Sequence, residues 1–94
     1  MGAMPALFDC SSDELSRQDE VLNSTYRAVR KNLTSAKQKQ LQDLQRQWIA
    51  LRDKKCKTEA DDLGGQDGTL AWYGCLMHEN EQRIEWLKNF ARKA

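Results

Sequence analysis

Apolar residues along the chain return at alternating spacings of three and four, the period of helices that each bury one face. The first stripe runs Leu15, Asp19, Leu22, Tyr26, Val29 and Leu33. The second runs Leu41, Leu44, Trp48, Leu51 and Lys55, with Gln45, Arg52 and Cys56 flanking it on one side. The third runs Tyr73, Leu76, Met77, Asn80, Arg83, Ile84, Leu87 and Phe90 or Ala91. Start and stop signals separate them. Ser11-x-x-Glu14 reads as a capping box opening a helix over 11–33, and the acids that follow suit a helix N-terminus. Asn32-Leu33-Thr34-Ser35 breaks the pattern, and Ser35-x-x-Gln38 reads as a second capping box opening a helix over 35–60. The segment Asp61–Gly68, with Gly64, Gly65 and Gly68, reads as the one clear loop, after which Thr69 caps a helix over 69–92. The pattern predicts an all-α fold, a small antiparallel three-helix domain with no sheet.

The interruptions of these stripes matter as much as the stripes. Asp19 lies on the apolar face of the first helix, Asn80 and Arg83 on that of the third, and Arg52 borders that of the second. A buried charge persists only when it is paired and hydrogen-bonded. Long arginines can reach water past an apolar surface, but an aspartate is too short to do so. Asp19 is therefore expected to meet Arg52 or Arg83, with Asn23, Tyr26 and Gln45 nearby. Trp48 and Trp86 read first as packing residues.

With 94 residues the chain is long enough for one domain with one modest core. Met1–Pro5 reads as a cloning scar and 9–94 as the domain. No apolar run approaches the roughly 20 residues that span a bilayer, so no transmembrane segment is expected. The net charge of +1 is unevenly spread. Residues 9–20 hold five acids against Arg17, residues 27–57 ten bases against Asp43 and Asp53, and residues 59–85 seven acids against Arg83. A basic middle helix packed between two acidic ones is the expected arrangement, and no nucleic-acid surface is read from it. Catalysis needs a base and its partner in a cleft. The single histidine, His78, falls off the apolar stripe, and no Gly-rich phosphate loop follows a strand. No enzyme activity, cofactor or metal is expected.

Three antiparallel helices place Cys10, Cys56 and Cys75 at the same end of the bundle. There they can approach the roughly 5–6 Å Cα separation of a disulfide. Cys56–Cys75 is the preferred pairing, because it closes the long connection between the second and third helices. Cys10–Cys56 and Cys10–Cys75 are the competing links. A disulfide implies export to an oxidising compartment.

These residues carry a resemblance. Leu22-Asn23-x-x-Tyr26, then Gln45-x-x-Trp48-x-x-x-Arg52-Asp53-x-x-Cys56, then Gly64-Gly65, then Cys75-Leu76 with Arg83 and Leu87, is similar to the LprI-type lysozyme inhibitors, small bacterial envelope proteins. The resemblance covers about Cys10 to Leu87. It implies a helical, exported, non-enzymatic domain with a bond between the Cys56 and Cys75 positions. Family members often carry a further upstream cysteine that is absent here, and inhibitors of basic lysozymes are commonly acidic, whereas this chain is nearly neutral.

The expected function is binding and inhibition of a lysozyme or related cell-wall glycosidase, in the periplasm or after secretion. A glycosidase works with two carboxylates in a groove. The candidate surface is the Asp61–Gly68 loop and its flanks, with Lys57, Asp61, Asp62, Gln66, Asp67 and Trp72 as contact residues. The alternative is an immunity-type or adaptor module that binds a secreted effector or envelope protein through a helix face. Exposure of Trp72 and Trp86 would favour that second reading.

Overall fold

The computed structural model describes residues 3–93 and consists of three helices of 29 residues each: α1 (Ala3–Lys31), α2 (Ser35–Leu63) and α3 (Gly65–Lys93). Among the described residues there is no strand. α2 runs antiparallel to its neighbours, so the start of α1, the end of α2 and the start of α3 share one end. Gln18 Nε2 donating to the Met77 carbonyl at 2.8 Å sets α1 alongside α3, while Lys55 Nζ donating to Glu79 Oε1 at 3.2 Å sets α2 against it.

The helix ends differ from the sequence expectation in instructive ways. α1 starts at Ala3, not Ser11, because nothing between them stops a helix. Pro5 falls in the first turn, where its missing N–H has no intrahelical partner to lose. α2 is capped by Thr34, whose Oγ1 accepts from the Lys37 N–H at 3.3 Å. Gln38, expected to complete a box with Ser35, instead donates to the Arg30 carbonyl at 2.9 Å and ties the last turn of α1 to the first turn of α2.

The expected Asp61–Gly68 loop is not a loop. α2 continues to Leu63, and Gly64 alone reverses the chain into α3. Gly64 and Gly65 have φ of +71° and +57°, conformations open to glycine at little cost, and this lets one residue do the work of a longer connection. Thr69 consequently lies inside α3, its hydroxyl donating to the Gly65 carbonyl. Gly68 has another task. A Cβ there would sit 2.4 Å from the Ala60 carbonyl oxygen, so its absence lets the two helices close on each other.

The basic helix is not sandwiched between acidic ones, as the charge pattern suggested. α3 is the central helix; α1 and α2 each pack on it and scarcely touch one another. The reason lies in how wide each buried face is. α3 buries Leu76, Asn80, Arg83 and Leu87 and half-buries Tyr73, Met77, Ile84 and Phe90, enough to meet two neighbours. α2 fully buries only Leu41, Gln45 and Cys56, and Leu51, expected on its stripe, is 68% exposed. The core proper is Leu22, Val29, Leu41 and Leu87, with Tyr26, Leu33, Trp48, Ile84, Trp86 and Phe90 packed around it. A second cluster at the other end holds Cys56, Cys75 and Leu76 with Leu15 and Trp72. The result is a thin rod of 52 × 23 × 16 Å.

Candidate functional site

The end where α2 meets α3 is held three ways. Cys56 and Cys75 form a disulfide with a Cα separation of 5.4 Å, Gly64 makes the reversal, and Gly68 allows close approach. Cys10 keeps a free, exposed thiol. Closing a loop of 19 residues is worth about 3 kcal/mol through the entropy of the unfolded chain. An open hollow of about 400 Å³ lies on this corner, lined by Lys57, Ala60, Asp61, Gly64, Gly65, Gly68, Thr69 and Trp72. Of the six residues singled out from the sequence, Lys57, Asp61 and Trp72 line the hollow, with Lys57 Nζ 2.8 Å from Asp61 Oδ2. Asp62, Gln66 and Asp67 are exposed on the corner but do not line it. Trp72 is half-buried against the disulfide cluster.

The polar residues on the apolar stripes form two connected sets. In the first, Asn80 is fully buried and bridges two helices. Its Oδ1 accepts from Arg52 Nη1 at 2.9 Å, and its Nδ2 donates to Asp19 Oδ1 at 2.8 Å. The expected ion pair of Asp19 with Arg52 or Arg83 is not made, because Asn80 stands between, and Arg52 pairs instead with Asp53 at 2.9 Å. In the second set, Arg83 Nε donates to Gln45 Oε1 at 2.9 Å, and its guanidinium lies over Trp86 at 3.6 Å and Trp48 at 5.2 Å. Arg52 also lies over Trp48, at 5.1 Å, so that ring joins the two sets. Burial lowers the Arg83 pKa to about 10, which leaves the side chain charged at neutral pH between two aromatic faces. Asn23 and Tyr26 line the gap between α1 and α2, in the same hollow as Asp19, Gln45 and Arg52, as expected from the sequence. Asn80 was visible in the sequence as a polar residue on an apolar stripe; its role as the bridge was not.

Charge follows the topology. Seven exposed acids, Asp9, Asp13, Glu14, Glu59, Asp61, Asp62 and Asp67, gather at the disulfide end against Arg17, Lys54, Lys55 and Lys57. Eight exposed bases, Arg27, Arg30, Lys31, Lys37, Lys39, Lys88, Arg92 and Lys93, gather at the other end against Asp43 and Glu85. Among the described residues no group of three or more His, Cys, Asp or Glu is placed to hold a metal ion. No described helix is long and apolar enough to cross a membrane.

The family model of the lysozyme inhibitor LprI matches residues 1–87. The chain belongs to the LprI lysozyme inhibitor family. No curated protein and no solved structure matches it. The family is one of inhibitors, not enzymes. Within it, the residues that carry the resemblance have a clear physical role. Gln45, Trp48, Arg52, Asp53, Cys56, Cys75, Leu76, Arg83 and Leu87 all lie at or beside the seam where α2 closes on α3. The α2 and α3 part of the LprI signature is thus scaffold; of its α1 part, Leu22 is buried in the core, while Asn23 is exposed and, with Tyr26, lines the gap between α1 and α2.

Proposed function

We propose that this chain is an exported inhibitor of a lysozyme or related cell-wall glycosidase, acting in the periplasm or after secretion and engaging the enzyme through the α2–α3 corner. The observation that carries this reading is the concentration of acids on a corner fixed by the disulfide and the Gly64 reversal. An acidic end attracts a cationic enzyme and speeds productive encounter. A corner already fixed in shape loses little conformational freedom on binding. The near-neutral net charge, which set this chain apart from acidic inhibitors, hides that local excess. A rod end of about 23 × 16 Å is narrow enough to approach a substrate groove. Lys57 and Gln66 supply N–H donors there for the paired carboxylates of a glycosidase. A disulfide in a small domain fits an oxidising compartment.

The adaptor or immunity-type alternative gains less. Trp72 packs on the disulfide cluster, and Trp86 stacks on Phe90 with ring centroids 5.3 Å apart, so both are half-buried, not the fully exposed aromatics that would favour it.

The test is the clearing of cell-wall suspensions by several lysozyme types with and without the purified protein. Slower clearing by at least one type, relieved by Asp62→Lys with Asp67→Lys, is the expected result. Complete lysis by every type at large molar excess of the protein would sink the inhibitor reading.

A further inference from the structure

Because α1 and α2 each pack on α3 and scarcely on one another, a furrow runs between them. It consists of two adjoining hollows of about 420 and 580 Å³ that share Tyr26 and Gln42. Leu22, Tyr26 and Ile49 give it an apolar lining, and Ile49 is 39% exposed there although it is large and aliphatic. Cations stand on both banks: Arg27, Arg30 and Lys31 on α1, Arg46 and Arg52 on α2.

Four of these cations, Arg27, Arg30, Lys31 and Arg46, lack an acid partner among the described residues, as do Lys37, Lys54, Arg92 and Lys93 elsewhere on the surface. Arg17, Lys39, Lys55, Lys57 and Lys88 each have an acid within salt-bridge distance. The single acid in the furrow, Asp19, is already engaged by Asn80. Four uncompensated positive charges therefore border an apolar strip. From Asp19 to Lys31 the furrow is about 18 Å long, the length of a helix of about three turns.

We propose that this furrow binds an acidic amphipathic segment of a protein partner, its carboxylates on the two banks and an apolar side chain against Leu22, Tyr26 and Ile49. Protein fits better than a phosphate polymer. Tyr26 is the one aromatic ring lining the furrow, where single-stranded nucleic-acid sites line up several. A concave strip also suits a helix better than a flat bilayer. The furrow lies apart from the α2–α3 corner and does not depend on the inhibitor reading.

Fluorescence anisotropy with labelled peptides of about three helical turns, Glu on one face and Leu on the other, tests this directly. Saturable binding that weakens with added salt is expected, falling about tenfold or more in Arg30→Glu with Arg46→Glu while the melting temperature stays unchanged. Ile49→Ser, which leaves every charge in place, also weakens binding. Indifference to Ile49→Ser would reduce the association to charge attraction and overturn the proposal, as would binding unaffected by the charge reversals or the lack of saturable binding. Tighter binding of oligothymidylate or of phosphatidylglycerol vesicles than of the peptides would assign the furrow to phosphate groups and equally overturn it.

Discussion

Asn80 has no exposed surface, yet both ends of its amide are in use, one by Arg52 and one by Asp19. Removing it takes a partner from a half-buried guanidinium, which keeps Asp53, and from a half-buried carboxylate, each loss costing about 1–3 kcal/mol. Asn80→Ala is therefore expected to cost about 3 kcal/mol in urea denaturation. Asp19 is half-buried and loses one charge-assisted hydrogen bond, so Asp19→Ala should cost about 1.5–3 kcal/mol, less than a broken buried ion pair. A larger loss for Asp19→Ala than for Asn80→Ala would contradict the bridged arrangement. The sequence marked the right positions, since Asp19, Asn80 and Arg83 all interrupt apolar stripes. It could not show which polar groups pair, because that depends on how two helices register, and an amide serves both an acid and a base. For Arg83 the sign of its pKa matters. A base held below its ordinary value opposes folding while charged, and that penalty is relieved only as pH rises through about 10. Stability near neutrality is thus flat with respect to this group.

The α2–α3 hairpin shows what a stripe pattern can and cannot fix at the scale of elements. Helix number, order and approximate placement followed from period and breakers, and the gathering of Cys10, Cys56 and Cys75 at one end from the antiparallel course; closing the α2–α3 connection singled out Cys56–Cys75. The corner did not follow from them. Gly64, Gly65 and Gly68 read as part of a loop over Asp61–Gly68, whereas the positive φ of Gly64 and Gly65 makes a one-residue reversal and Gly68 permits contact with Ala60. α2 also turned its buried face toward Gln45, Arg52 and Cys56 and left Leu51 in water, because only α3 covers it. Gly68→Ala should cost about 1–3 kcal/mol, as overpacking does, and lower the melting temperature. A melting temperature equal to that of the parent would mean that the helices are not in contact there. Replacing both Cys56 and Cys75 with serine should remove about 3 kcal/mol, measured by denaturant unfolding, with the helical circular dichroism spectrum retained. Loss of the spectrum would instead mean that the packed core alone does not hold the domain.

At the scale of the whole molecule, a net charge of +1 conceals two opposed ends of a 52 Å rod. The sequence showed acidic, basic and acidic blocks, and only the antiparallel course of α2 converts them into an acidic end and a basic one. Contact surfaces stayed illegible for the same reason. Most residues with recognisable spacing are those that close α2 on α3, and which surface the finished scaffold leaves exposed depends on how the three helices pack. The two ends make different demands on a partner, and a lysozyme should distinguish them. Titration calorimetry of a lysozyme that the protein inhibits, against the parent chain, the corner variant Asp62→Lys with Asp67→Lys, and the furrow variant Arg30→Glu with Arg46→Glu, measures this most directly. Affinity for the corner variant is expected to fall about tenfold or more, with that of the furrow variant close to the parent's. Undiminished affinity in the corner variant, with loss in the furrow variant, would place the inhibitory surface between α1 and α2 and contradict the assignment to the stapled corner.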